Sequence, residues 1–283
     1  MKFAKDDNLD WKVRKEMIKT ESGIVIPKHS AIVREDTNSV LSVRSENYYP
    51  YQNHELIELL NRVSNQTGLE IKKSGSFGEG EKVFIQLKSG DLKLGNDRVE
   101  GYLTGINSFD GSTSLAFGPS NVTISCTNSF FAAFRDMSSK VRHTKHMIIK
   151  IDDICRGLEN LLIEEKSMFN NIVKLSETRI GANDVDDVLR KLFDIKKEVN
   201  LKDEKAIAGI TRNKIERFYA DMRGELQQKG DNKWGLFSGV TKYTTHSLSK
   251  PNEKGLYDNT EAKMFGAYGK RELSIFNDLV EMV

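Results

Sequence analysis

A chain of 283 residues, 38% hydrophobic and 30% charged, suits one large domain or two smaller ones and is too apolar for intrinsic disorder. Its formal net charge is only +2, so the molecule is no polycation, and nucleic-acid binding would need a local basic patch. No apolar stretch approaches the ~20 residues of a membrane span, and Met1-Lys2-Phe3-Ala4-Lys5 lacks the apolar core of a signal peptide.

Residues 1–27 read as a polar lead-in, closed by the apolar patch Ile24-Val25-Ile26 and Pro27. Two β-like runs follow, Ala31 to Arg34 and Val40 to Arg44. Glu35-Asp36-Thr37-Asn38-Ser39 between them has turn chemistry, so a hairpin is expected. Tyr48-Tyr49-Pro50-Tyr51 then leads into a helix with Asn53 as N-cap, a stripe of Leu56, Leu59, Leu60 and Val63, and Gly68 as its stop. From Leu69 to Cys126 the hydrophobic period is two: Val83, Ile85 and Leu87 alternate with lysine and glutamine, and Val122, Ile124 and Cys126 alternate with threonine and serine. Gly90-Asp91 and Asp110-Gly111 are the expected turns. Such close spacing favours antiparallel neighbours, because a parallel crossover needs a dozen or more residues.

After Cys126 the period becomes helical. Thr127 is placed to cap a helix with Phe130, Phe131, Phe134 and Met137. A long stripe runs from Ile151 to Ile172. Asn183 or Asp184 caps a helix with Val188, Leu189 and Leu192 on one face. A helix with Ile215, Phe218 and Met222 should stop at Gly224. Further helices are expected around Trp234 and Phe237, and from Phe265 to Val283. The fold class is α+β: an antiparallel β-meander with flanking helices over residues 28–140, followed by a helical C-terminal region over 141–283.

Few motifs carry chemistry. The glycine-rich Ser74-Gly75-Ser76-Phe77-Gly78-Glu79-Gly80 is followed by Glu81-Lys82 and a strand, not by the lysine and hydroxyl at a helix start that a phosphate loop requires; it reads as a hairpin loop. His143 and His146, three apart, would share a helical face, but no carboxylate lies between Met137 and Ile151 to complete a metal site. Asp184-Val185-Asp186-Asp187 lacks the glycine and distal glutamate of a calcium loop and suits the first turn of a helix. Cys126 and Cys155 form no ligand cluster, as in a reduced cytoplasmic chain. No metal, no cofactor and no catalytic residue is expected.

The basic stretch from Lys140 to Lys150 is the most suggestive segment. It carries Lys140, Arg142, His143, Lys145, His146 and Lys150 with no acid among them. Two readings stand: a patch that neutralises backbone phosphates, or an ordinary solvated charge run. Lys72, Lys73, Lys82 and Lys88 on the preceding strands would extend such a patch. Tyr48, Tyr49, Tyr51 and Phe77 would stack bases, unless they serve as packing. The histidines, with an unperturbed pKa of about 6.5, would tighten binding on acidification.

Several short segments together carry a resemblance. Val122-Thr-Ile-Ser-Cys126-Thr-Asn128-Ser-Phe130 is followed at an interval by Arg142-His143-Thr144. Asp231-Asn232-Lys-Trp234 is followed by Val240-Thr241-Lys-Tyr243 and His246. With the early hairpin running into Tyr48-Tyr49-Pro50, these resemble the phage/plasmid-like protein family, a group encoded by bacteriophages and plasmids and without a settled activity. The matching residues are Cys126, Asn128, Arg142, His143, Trp234 and Tyr243. The order helix, antiparallel meander, helix is also similar to that of Rad52-like single-strand annealing proteins.

The resulting expectation is a cytoplasmic, mobile-element DNA-metabolism protein in a bacterial host. It would bind single-stranded DNA without sequence preference and anneal strands, with no catalytic residue required. Self-association is compatible with that role. The alternative is a non-enzymatic interaction protein that binds or inhibits a host defence protein, and an enzyme with a spatially assembled site is a third reading.

Overall fold

A computed structural model of the chain describes residues 3–5, 9–95, 97–123, 128–130, 140–144, 147, 158–201, 203, 207, 209–248, 259, 263 and 266–283. Among these the elements run β1 (Phe3–Lys5), β2 (Val13–Lys19), β3 (Val25–Arg34), β4 (Val40–Ser45), α1 (Asn53–Thr67), β5 (Glu70–Phe77), β6 (Lys82–Leu94), β7 (Asp97–Ser108), β8 (Leu115–Thr123), β9 (Asn128–Phe130), β10 (Lys140–Val141), α2 (Leu158–Glu177), α3 (Asp184–Phe193), α4 (Gly209–Lys229), α5 (Lys233–Lys242), a π turn (Tyr243–Ser247) and α6 (Ala267–Glu281). Strands come first and helices after, so the α+β class read from the hydrophobic periods holds. One sheet has three strands in the order β2-β3-β4. The other has seven, in the order β1-β5-β6-β7-β8-β10, with β9 also on β8.

The chain divides into two compact units. One comprises residues 1–89, 102–119 and 136–163; the other comprises 90–101, 120–135 and 164–283. The sequence-based boundaries differ because β6, β7 and β8 each contribute residues to both units.

In the first unit the expected hairpin forms. Antiparallel β3 and β4 pair Ala31 with Val43 and Ile32 with Ser42 around the turn at 35–39. The stripe Leu56, Leu59, Leu60 and Val63 is buried, as the helical period requires. The expected polar lead-in over 1–27 is corrected. β2 pairs with β3 from Val13↔Arg34 onward, and Leu9, Trp11 and Val13 join the hydrophobic core. The first turn of α1 holds this segment. Val13 N–H donates to Gln52 Oε1 at 3.1 Å, Gln52 Nε2 donates to Val13 O at 2.9 Å, and Asn53 Nδ2 donates to Trp11 O at 3.2 Å. Asn53 therefore spends its amide on Trp11. Gln52 takes the N-cap position instead, its N–H donating to Glu55 Oε2 at 2.7 Å. Gly68 ends the helix in the left-handed region, as expected.

The glycine-rich segment is the β5–β6 hairpin, paired from Phe77↔Lys82. The expected turn at Gly90-Asp91 is absent. β6 continues to Leu94, because Leu92 and Leu94 find apolar partners in the second unit's core. Between β7 and β8 the expected turn at Asp110-Gly111 is present, and Gly111 has φ +62°.

In the second unit, α2 to α6 surround a core that includes Phe218, Phe237, Tyr243 and Phe276. Gly224 does not stop α4, which runs to Lys229 and is followed by Gly230 at φ +90°. Gly239 brings α5 against α4; a Cβ there would come within 2.7 Å of Met222 Cα. The helix expected from Thr127 is corrected at its described residues: Asn128–Phe130 is strand β9, paired with β8 through Asn121↔Phe130 and Thr123↔Asn128. The ladder satisfies backbone groups that β8 would otherwise expose on that side. Thr127, Phe131, Phe134 and Met137 lie outside the described residues. The π turn sets Thr244 and Thr245 beside a fully buried pair, Lys263 Nζ to Glu272 Oε1 at 3.0 Å. Lys263 also reaches Thr245 Oγ1 at 2.7 Å, and the Thr244 hydroxyl donates to Glu272. Burial pushes the Glu272 carboxyl up, and the lysine charge opposes it.

A Cβ at Gly105 on β7 would lie 2.7 Å from Phe117 Cε1 on the neighbouring strand β8 and 3.4 Å from Leu60 Cδ1 on α1. Gly105→Ala should therefore destabilise the protein by about 1–3 kcal/mol through overpacking. A urea melt should show a lower midpoint at unchanged m-value; an unchanged or raised midpoint would contradict this packing.

Candidate functional site

The site begins with an alternation. Along β10 and the residues after it, Lys140 is exposed, Val141 buried, Arg142 exposed and His143 buried, the period of a strand rather than of a helix. Buried Val141 and Met147 flank the segment. Thr144 N–H to Arg142 O at 2.8 Å and Met147 N–H to Thr144 O at 3.0 Å fold it into a turn. Tyr49 N–H donates to His143 O at 3.2 Å, fixing the histidine beside the chain that leads into α1.

His143 forms part of the lining of an open cleft of about 640 Å³, wholly within the first unit. The other lining residues are His29, Val43, Arg44, Ser45, Tyr48, Gly111, Ser112, Thr113, Ser114, Arg142 and Thr144. None of them is a carboxylate, and two are arginines. The Tyr48 and His143 rings lie 5.2 Å apart at 38°. Tyr48 is held by its hydroxyl, which donates to Ser108 O at 2.6 Å, and burial pushes its phenol above the ordinary range, so it stays protonated. The Arg44 guanidinium lies against Gly111, where a Cβ would come within 2.9 Å of Arg44 Cζ.

Two lining residues carry polar atoms that are buried and without a hydrogen-bond partner: Arg44 Nε, and both Nδ1 and Nε2 of His143. His143 is 8% exposed. Burial lowers its pKa to about 4, while the backbone at Tyr49 and Thr113 and the Asp110 charge act in the opposite direction. Those backbone groups draw near without offering a ring nitrogen hydrogen-bond geometry. Behind the turn sits Asp110. Burial opposes its ionisation, but hydrogen bonds from Ser112 and the charge of Lys82, at 3.3 Å, outweigh burial and hold its pKa below the usual value.

Among the described residues, those predicted for nucleic-acid contact do not form one patch. Arg142 and His143 meet in the cleft. Lys140 is exposed on β10. Lys82 is taken by Asp110. Lys88 is six positions along β6 from Lys82, about 20 Å away. It faces Glu70, whose carboxyl is held low by Lys72 first and Lys88 second. Lys73 Nζ sits over the Tyr102 ring at 5.2 Å. Lys145, His146 and Lys150 lie outside the described residues, and with them the shared helical face expected of His143 and His146. Tyr51 and Phe77 are core residues, Phe77 against Phe84 at 5.7 Å, which is the packing alternative for both. Tyr49 donates to Glu55 Oε1 at 3.0 Å, and Tyr48 alone of the four aromatics lines the cleft.

Of the family-motif residues, Arg142 and His143 are in the cleft. Trp234 and Tyr243 are buried in the second unit. Tyr243 packs edge-on against Phe193 and Phe218, and burial pushes its phenol up to about 12. Asn128 lies in β9 and Cys126 outside the described residues. Sequence reading does not mark Arg44 and His29 as site residues, and it expects a turn at Asp110-Gly111 without placing it at a site. Arg44 ends a β-like run, and nothing local announces that its strand borders a cleft.

Among the described residues no group of three or more His, Cys, Asp or Glu could hold a metal ion, and no helix is long and apolar enough to cross a membrane. A family model described as "Domain of unknown function (DUF932)" matches residues 40–264, a span that contains every cleft residue except His29. No curated protein and no solved structure matches the chain.

The lowered pKa of His143 has a defined sign. The unfolded chain, with a histidine near 6.5, binds the proton first, so stability falls as pH drops from about 6.5 to about 4. Over that interval wild type should lose about 3 kcal/mol more stability than His143→Gln. Denaturant melts across the pH series check this; parallel acid limbs for the two proteins would contradict it.

Proposed function

The chain belongs to the DUF932 family, and we propose that it binds single-stranded DNA without sequence preference through the cleft of its first unit, in the DNA metabolism of a mobile element. One observation carries the reading: Arg44 and Arg142 face the same carboxylate-free cleft as the Tyr48 and His143 rings. Guanidinium groups pair with phosphate oxygens and release counterions, while an aromatic face accepts a base of any identity. Ser112, Thr113, Ser114 and Thr144 add hydroxyls suited to positioning a backbone. Such binding needs no catalytic group. The resemblance to phage/plasmid-like proteins and the meander-and-helix order of Rad52-like annealing proteins support a role in strand annealing in the bacterial cytoplasm.

The acid-tightened binding expected from the histidines is revised for His143, which burial keeps neutral through pH 5.5.

A second reading has its own observation. Met17, Ile24, Val40 and Val43 are all more than half exposed on and around the three-stranded sheet. Apolar surface of this kind suits a protein partner, as in a protein that binds a host defence factor.

Filter binding of a dT oligonucleotide across a salt series separates the two. For single strands the slope of log affinity against log salt is about −0.7 per phosphate neutralised, so Arg44→Ala with Arg142→Ala should flatten it by about 1.4 and weaken binding to all sequences alike. Affinity and slope that the double substitution leaves unchanged would remove the cleft from the function. The exposed apolar surface would then carry it.

A further inference from the structure

β2 is an outer strand of the three-stranded sheet, and its far edge offers backbone groups for pairing. Val13 N–H and C=O are both engaged by the Gln52 amide, so they point away from β3. The Lys12 carbonyl, one residue earlier, accepts from Glu35 N–H on the β3 side. Antiparallel alternation then turns the N–H and C=O of Lys15 and Met17 outward as well. Among the described residues neither finds a backbone partner on that side. Gln52 fills the edge at Val13 as a paired strand would, and leaves it open at Lys15 and Met17.

The side chains along this edge define what fits it. Lys15, Met17 and Lys19 are two apart and share one face of β2. The register shift after Met17 puts its extra residues in β3, between Val25 and Ser30, so the alternation runs on along β2 to Lys19. All three are exposed, Met17 by 66%. Arg14 pairs with Glu16, whereas Lys15 and Lys19 make no ion pair among the described residues; Lys15 Nζ donates to the carbonyls of Glu46 and Tyr48. The edge is therefore cation, apolar, cation. Where Gln52 closes it, a pocket of about 430 Å³ opens, with Val13, Tyr48, Tyr49 and Pro50 in its walls and Glu46 as its acid. A second copy of β2 fits poorly, because antiparallel pairing about Lys15, Glu16 or Met17 sets like charges opposite each other. A strand with acids on either side of an apolar residue, at alternate positions, opposes each lysine with a carboxylate and covers Met17. Its next apolar side chain reaches the pocket as an anchor.

We propose that β2 is a docking edge for an extended, acidic segment of a partner protein, which adds a further strand to the three-stranded sheet. The inference goes beyond DNA binding in the cleft and does not depend on it. It gives the protein-partner reading one strand edge and one peptide chemistry.

Fluorescence anisotropy on the full chain tests it with a labelled peptide, Phe-Thr-Glu-Thr-Leu-Thr-Glu-Thr-Phe, whose symmetric sequence suits either strand direction. It should bind about tenfold tighter than a control with lysine in place of both glutamates. In hydrogen-exchange NMR the Lys15 and Met17 amides should slow on binding, a readout that requires no variant. Met17→Pro removes a donor that no ladder bond uses, so the amide spectrum should stay folded while peptide affinity falls about tenfold. Lys19→Glu should bring the two peptides to about equal affinity. Equal affinity for both peptides in wild type overturns the inference, as does peptide binding that leaves the Lys15 and Met17 amides unprotected. A concentration-dependent dimer that Met17→Pro abolishes also overturns it, because the edge then belongs to a second copy. Binding of a dT oligonucleotide without binding of the acidic peptide overturns this inference and keeps the cleft reading; peptide binding without oligonucleotide binding does the reverse. Binding of neither overturns both.

Discussion

The first unit depends on the turn between β7 and β8, whose carbonyl oxygens are claimed by side chains distant in sequence. Ser42 Oγ donates to Phe109 O at 2.6 Å, and Tyr48 OH donates to Ser108 O at 2.6 Å. Phe109 N–H donates to Glu81 O at 2.7 Å, and Asn107 Nδ2 donates to Tyr51 O at 2.8 Å. Each bond contributes about 0.5–1.5 kcal/mol net, but losing one partner strands a buried carbonyl at about 1–3 kcal/mol, so the turn tolerates no loose fit. Phe109 also packs on Trp11 at 5.5 Å between ring centroids, and Arg34 covers that tryptophan at 4.2 Å. In this way β4, the α1 entry and the β5–β6 hairpin are registered against one turn. The cleft is a product of that registration: Arg44 and Tyr48 reach it from one side, Gly111 to Ser114 from the turn itself, and Arg142 to Thr144 from β10.

Around the turn most polar groups find partners within the unit. Lys15 Nζ, nearby, reaches both Glu46 O and Tyr48 O, and Asp110 is held by Lys82 and Ser112. Arg44 Nε, the two nitrogens of His143 and Asn107 Oδ1 are buried without a hydrogen-bond partner. In the second unit the buried charges Lys263 and Glu272 pair with each other and with Thr245 and Thr244, while Glu272 Oε2 has no partner.

Local patterns were legible where the chain obeys one period for long enough. The stripe Leu56, Leu59, Leu60, Val63 and the turn Glu35 to Ser39 needed nothing beyond propensity and spacing. The lead-in was not legible, because Trp11 and Val13 are isolated apolar residues whose burial comes from Gln52 and Asn53 far along the chain. Gly90-Asp91 and Gly224 have the residues of a turn and a stop, but β6 and α4 pass through them because apolar partners lie beyond. For the site, Arg142 and His143 were named from a basic run. Their opposite exposures follow from a strand period that the run's charge concealed, and Arg44 joins them only in three dimensions.

The most direct measurement concerns His143 itself. The protein is labelled with ¹⁵N at the histidine ring nitrogens and titrated with a dT oligonucleotide, with the resonances assigned through His143→Gln. The account predicts that the His143 ring resonances shift as the strand fills the cleft that His143 lines, while those of His54, exposed on α1, stay in place. Saturating strand binding that leaves the His143 resonances unmoved would show that the strand binds elsewhere, and would contradict the account.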